Sequence, residues 1–291
     1  MGEIVGAGLV SHAPTIMFDE ATRRELNDGN EISLVPGLIR LRSEVLDRLR
    51  PDTLVIFDSH WESTVEHILA AQTRRSGIFT SSELPRGMAQ LPYDFPGDPE
   101  LADAAAAAGV ELGQPTHASR DDHLPILYAT TNIVHYLRDD EKVVSVSVVQ
   151  TGEPKDFLAM GEAIRRAVDG LDRRVVVLAS GGMTHRFWPL SQLTQHEASD
   201  PVHIITPEAR AADEERLRWM EEGELHRIVD TMDEYEEHGP EAGFGHFLMM
   251  LGAIGGRDCL AKGEMFSDYE NATGTGQVHV WFERPDGGWT G

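Results

Sequence analysis

The sequence predicts an α/β protein: a mostly parallel central sheet flanked by helices, with the active site at the carboxyl ends of its strands. Two observations carry this. Short, nearly continuous apolar runs, the signature of strands buried on both faces, recur along the chain at Ile4 to Val10, Thr53 to Phe57, Val143 to Val149 and Val175 to Ala179. Between them lie segments whose apolar residues follow helical spacing, and strands alternating with helices point to parallel pairing through crossovers.

The elements follow in order. Ile4 to Val10 carries glycines at 6 and 8 and reads as a buried strand. Leu38, Leu41, Val45, Leu46 and Leu49 share one helical face, and Pro51 with Asp52 ends that helix. Thr53 to Phe57 is the second strand and Ile68 to Ala71 a third. The Pro- and Gly-rich stretch "LPRGMAQLPYDFPGDP", Leu84 to Pro99, reads as a long irregular connection, a kind of loop that is often functional. A helix is expected from near Pro99 to Ala108 and another over Pro125 to Leu137. Val143 to Val149 is a strand, and Phe157, Met160, Ile164 and Val168 form a helical stripe. Val175 to Ala179 is a strand that runs into "SGGMTH". Acidic, mostly helical sequence covers Glu208 to Asp233, an apolar helix Phe247 to Ile254, and a closing strand Val278 to Phe282. No repeat or low-complexity linker interrupts the series, so one domain over residues 1 to 291 is expected.

Composition narrows the function. Lys and Arg number 25 against 49 Asp and Glu, a formal net charge of −24. That charge repels phosphate backbones and no basic run relieves it, so nucleic-acid binding is disfavoured. The acidic runs, such as Asp213 to Glu224, read as solvated helix faces. No apolar stretch approaches the roughly 18 residues of a membrane span. One cysteine, Cys259, and the absence of a secretory pattern at the N-terminus fit a cytoplasmic protein. "GAG" at 6 to 8 and "GTG" at 274 to 276 lack the third glycine of a dinucleotide loop. Ser180 lacks the Gly-x-Ser-x-Gly context of a nucleophile elbow.

Chemistry concentrates where strands end. "GLVSHAPT" places His12 after the first strand, "TLVIFDSHWES" places His60 after the second, and "VLASGGMTH" places His185 after the strand Val175 to Ala179. Ligands gather outside the carboxyl ends of open α/β sheets, so these three histidines are expected in one crevice. Two imidazoles with one carboxylate suit non-haem Fe(II), which needs open positions for substrate and dioxygen. Three imidazoles alone suit zinc and a bound hydroxide. The carboxylate decides, and the candidate is Glu241 in "HGPEAGFGH". Asp58 either orients an imidazole or caps a turn, and Gly181 with Gly182 reads as a tight turn close to a ligand. His123, in "RDDHLP", lies beside Asp121 and Asp122, read as helix-start residues. The other histidines considered, among them His67 and His279, read as surface or core residues.

"SHAPT", "FDSHW", "GGMTHRFW" and "TGTGQV", in that order along the chain, resemble the class III extradiol ring-cleavage dioxygenases, the superfamily of protocatechuate 4,5-dioxygenase. "FTSSELPRGMAQLPYDFPGDPEL" and the final "GTGQV" bring it nearest to the homoprotocatechuate 2,3-dioxygenase branch. The resemblance implies that His12, His60 and Glu241 hold Fe(II), with Mn(II) as a possible replacement. It implies that His185 is the acid/base and that His123 joins it as a second catalytic histidine. Phe187, Trp188 and Trp61 either line an aromatic pocket or pack in the core. Arg186 either neutralises a substrate carboxylate or is simply exposed. The implied partners are a small aromatic diol, 3,4-dihydroxyphenylacetate or a related catechol, and O2; a homo-oligomer is implied by family analogy. Open alternatives are an aminophenol, gallate or methylgallate dioxygenase, a zinc hydrolase, or a non-catalytic metal-binding member of the same fold.

Overall fold

The structure is a computed structural model that describes residues 2 to 290. Its strands are β1 (Glu3–Val10), β2 (Thr53–Ser63), β3 (His67–Ala70), β4 (Arg74–Phe79), β5 (Leu91–Pro96), β6 (Thr116–Ser119), β7 (Lys142–Val149), β8 (Arg174–Ser180), β9 (Gly263–Met265), β10 (Glu270–Ala272), β11 (Thr275–Gln277) and β12 (His279–Glu283). Its α-helices are α1 (Glu20–Leu26), α2 (Leu34–Arg40), α3 (Asp47–Leu49), α4 (Pro99–Glu111), α5 (Tyr128–Leu137), α6 (Pro154–Gly170), α7 (Pro207–Glu222), α8 (Leu225–Asp230), α9 (Met232–Glu236) and α10 (Gly245–Ala253).

Eight strands form one sheet in the order β6-β3-β7-β2-β8-β1-β12-β9. The middle run β7-β2-β8-β1 is parallel. β12 and β9 extend it antiparallel on one side, and β3 joins antiparallel to β7 on the other. The expected mostly parallel sheet flanked by helices is therefore present, with antiparallel strands confined to its flanks. Alternation along the strands sends side chains to two cores. Val55, Phe57, Val175, Val177 and Ala179 face one, with α4, α6 and α10; Leu54, Ile56, Val176 and Leu178 face the other, with α2 and α5.

Some boundaries differ from expectation. The Leu84 to Pro99 stretch is not wholly irregular, because Leu91–Pro96 forms β5 and pairs antiparallel with β4 as a two-stranded sheet. The expected helix over Leu38 to Leu49 runs as α2, a π-helical segment Leu41–Leu46, and α3. The acidic helical region divides into α7, α8 and α9; Gly223 at φ 81° ends α7 in the left-handed conformation that lacks a Cβ penalty. "GAG" packs rather than binds: a Cβ on Gly6 would lie 2.2 Å from the Trp281 ring. No helix among the described residues is long and apolar enough to cross a membrane.

Candidate metal centre

Three neighbouring strands deliver the three histidines. β8 lies between β2 and β1, and Val10, Ser180 and Asp58 stand at one level across them. His12 follows two residues beyond that level on β1 and His185 five beyond it on β8. His60 sits where β2 breaks register with β7 between Asp58 and Glu62. Asp58 causes the local geometry. Its Oδ1 accepts the backbone N–H groups of His60 and Trp61 at 3.0 and 2.9 Å, and its Oδ2 accepts from Thr130 Oγ1 at 2.6 Å. Of the two roles open to Asp58, the turn-capping one is found.

Glu241 arrives from a loop 56 residues beyond His185. Residues 183 to 185 pair with that loop: Glu241 N donates to Met183 O at 2.9 Å and His185 N to Gly239 O at 2.9 Å. Immediately after Glu241, Ala242, Gly243 and Phe244 take φ values of 48°, 60° and 58°. Two of the three carry a Cβ and are strained there, a cost of order 1–2 kcal/mol each, the kind of strain that collects at functional sites. The turn swings the chain into α10 while leaving the Glu241 side chain under the sheet ends.

His12, His60 and Glu241 each offer one nitrogen or oxygen atom that could hold a metal ion, and these atoms all lie within 4.8 Å of one another. Glu241 Oε1 is 3.5 Å from His12 Nε2 and 3.6 Å from His60 Nε2, and its Oε2 is 3.8 Å from His185 Nε2. Hydrogen bonding fixes the tautomer of His12. Ser180 Oγ gives its one proton to Ala129 O at 2.7 Å, so the contact at 3.0 Å requires His12 Nδ1–H to donate to Ser180 Oγ. That leaves a lone pair on Nε2, turned toward the cluster. Burial, and then the neighbouring imidazoles, lower the pKa of His12 to about 3 against the pull of Glu241, so the ring is neutral at neutral pH. Burial alone would raise Glu241, but the surrounding imidazoles, His185 first, outweigh it and hold the carboxyl below the usual range. Ser59 Oγ donates to Glu241 Oε1 and Gly182 N–H to Oε2. Two imidazoles, that of His12 neutral, and an ionised, hydrogen-bonded carboxylate make a donor set suited to a divalent metal with open positions.

A cavity of about 300 Å³ opens over this cluster, at the small end of the ligand-cavity range of roughly 300–1,000 Å³. His12, His60, His185, Glu241, Tyr128 and Phe187 are among its walls. Tyr128, at the start of α5, was not singled out from the sequence. Its hydroxyl is 2.7 Å from His60 Nε2 and donates to Glu83 Oε2 at 3.0 Å. Burial and the nearby carboxylates raise its pKa far above the ordinary phenol value, so it remains a neutral donor. Only its place in the fold, at a helix start facing β2, could have marked it.

The other residues expected at the site divide. Phe187 reaches the cavity and packs edge-on to His185 at 4.8 Å between ring centroids. Trp188 does not: its ring stacks on His196 at 3.8 Å and its Nε1–H donates to His203 O, so it braces the loop behind. Arg186 is exposed and donates to Glu237 O, outside the cavity. Trp61 is buried away from the lining, as a core residue. His123 is exposed in a turn held by its N–H on Asp121 Oδ1 at 2.8 Å, and α5 starts only at Tyr128. Neither Asp121 nor Asp122 therefore begins a helix, and His123 is not brought to the cluster. Gly181 and Gly182 have no positive φ. They are needed for close packing: a Cβ at 181 would lie 2.4 Å from His246 Nε2, and one at 182 would lie 2.7 Å from Gly276 O.

Behind His185 lies a carboxylate that the acidic-run reading assigned to solvent. Asp213, on α7, is fully buried. Its oxygens accept from Tyr235 Oη at 2.7 Å, Tyr269 Oη at 2.6 Å, Thr184 Oγ1 at 2.7 Å and Thr184 N at 3.2 Å. It thus anchors the residue preceding His185. Burial pushes its pKa up to about 6 although these four donors pull it back. A carboxyl raised in the fold is favoured there in its protonated form. Its contribution to stability is complete below its unfolded value near 4 and is lost as pH rises through about 6. Urea unfolding of wild type and Asp213→Asn should show this as a wild-type loss, relative to the variant, of about 2 kcal/mol between pH 4 and pH 7. Parallel profiles for the two proteins would contradict the assignment.

Comparison with known proteins agrees with this architecture. Residues 6–283 match the family described as "Catalytic LigB subunit of aromatic ring-opening dioxygenase". The chain is 28% identical over 263 residues to a 3,4-dihydroxyphenylacetate 2,3-dioxygenase of Escherichia coli, covering 88% of this chain and 91% of that one. It is 23% identical over 292 residues to a 2-aminophenol 1,6-dioxygenase beta subunit of Pseudomonas sp., covering 96% and 93%. The crystal structure of an uncharacterized protein from Escherichia coli K12 shares the fold, with a TM-score of 0.62, 17% identity and coverage of 95% of this chain and 99% of that one.

Proposed function

This chain belongs to the LigB family of catalytic subunits of aromatic ring-opening dioxygenases, and on that premise we propose that it carries out Fe(II)-dependent extradiol cleavage of a substituted catechol with O2. The observation that supports it is one arrangement: two imidazoles and an ionised carboxylate within 4.8 Å, beneath a cavity into which a further histidine projects. His12, His60 and Glu241 are the proposed ligands. Fe(II) held there would supply Lewis acidity toward the diol and the electrons that activate dioxygen.

The chain's own residues do the rest. His185, half-buried at the cavity wall, is the proposed acid/base: it takes a proton from a substrate hydroxyl and returns it to oxygen as the ring opens. Tyr128 remains protonated, gives its proton to Glu83, and presents its hydroxyl oxygen at the cavity wall where the diol would lie. Phe187 offers a face to the ring and shields His185 from water. Ser59 and Gly182 hold the Glu241 carboxylate in one orientation through both of its oxygens.

Anaerobic loading with Fe(II), followed by O2 and a catechol, should yield a yellow ring-fission product with one O2 consumed per ring. Zinc-loaded protein should be inert, and removal of iron by a chelator should abolish turnover. Stoichiometric iron with no ring fission across catechols, 2-aminophenol and gallates would defeat the proposal.

A further inference from the structure

The walls of the same cavity carry charge that the ring-opening step does not use. Besides Glu241, three carboxylates line it: Glu83, Glu197 and Glu270. Glu83 accepts from Tyr128, while Glu197 makes no hydrogen bond or ion pair among the described residues. Glu270, on β10, is only 6% exposed. Its Oε1 accepts the Ser33 N–H at 2.6 Å, and its Oε2 is buried without any partner. A buried carboxylate oxygen left without a donor is costly, and a ligand that brings the missing donor removes that cost.

The cavity's one Arg or Lys side chain is Arg23, and it is not available to an anion. Its Nε and Nη2 grip the Glu31 carboxylate at 2.7 and 2.8 Å, and its Nη1 donates to Phe18 O at 2.5 Å. Arg186, the cation expected from the sequence to meet a substrate carboxylate, is outside the cavity. A ligand carboxylate would enter a lining with three further carboxyl groups and no uncommitted guanidinium. An ammonium group would meet complementary charge and fill the vacant acceptor.

We propose that the catechol taken by this site bears an amine-containing side group rather than a carboxylate, and that Glu270 is the specificity-determining acceptor for it. This rests on the ring-opening reading of the same cavity, and it separates this chain from its Escherichia coli relative named for 3,4-dihydroxyphenylacetate.

Three ligands of matched ring and arm test it: 3,4-dihydroxyphenethylamine, 4-ethylcatechol and 3,4-dihydroxyphenylacetate. Anaerobic calorimetric titration of the Fe(II)-loaded full chain reads the inference, and later admission of O2 reads the reaction. Binding is expected to be at least about tenfold tighter for the amine than for the acetate, the scale of one charge-assisted hydrogen bond. Glu270→Gln, which keeps an acceptor for Ser33 N–H, should reduce the amine-to-ethylcatechol affinity ratio by about tenfold. Equal or tighter binding of the acetate overturns the inference, and so does a Glu270→Gln variant that weakens amine and ethylcatechol alike. Amine-selective binding without ring fission would sustain the charge assignment and defeat the reaction instead.

Discussion

Glu241→Gln is expected to lose metal affinity by about 10²-fold or more and to lose turnover with it. The substitution preserves size and still offers one oxygen to Ser59. It removes the only negative charge in the ligand set. It also turns an amide N–H₂ toward the Gly182 N–H, which now donates to Glu241 Oε2, so two donors face each other in a buried site. The two imidazoles left behind offer no negative charge and cannot replace the one lost. Metal content after dialysis, measured beside kcat/KM, is the check. A variant that retained one metal per chain would show that Glu241 is not a ligand, and the Fe(II) assignment would fall with it.

His185→Phe separates chemistry from metal binding. Turnover should drop by about 10²–10⁴-fold, the usual contribution of a positioned acid/base, while metal content stays at the wild-type level. The geometry supports the separation. His185 Nε2 is 3.8 Å from the second oxygen of Glu241, and it lies outside the group formed by His12, His60 and the first oxygen. Its backbone is held by Gly239 O and, through Thr184, by Asp213. The ring can therefore be exchanged without moving its neighbours. Loss of metal together with activity would make His185 a fourth ligand. Undiminished turnover would remove it from the mechanism.

His12, His60 and His185 stood out in the sequence because each follows a recognisable apolar run, and strand ends are where α/β proteins place their sites. The same proximity misled for Trp188 and Arg186. They neighbour His185 in the chain, but the segment after it turns away, sending Trp188 onto His196 and Arg186 to Glu237. His123 was carried by resemblance to its sequence context, yet the turn that holds it ends before α5 begins, and Tyr128 is what reaches His60. Asp213 looked like any residue of a solvated acidic run. Its burial depends on Tyr235 and Tyr269 arriving from elements 22 and 56 residues away.

The sequence by itself determined the kinds of element, the approximate strand ends and the histidines waiting there, because periodicity and strand termination are local properties of the chain. The tertiary structure decided that β8 lies between β1 and β2, that Glu241 folds in beneath them, and that Arg23 is committed to Glu31 while Glu270 keeps an open acceptor. Those outcomes depend on pairing, register and side-chain direction between segments remote along the chain, which no local pattern encodes.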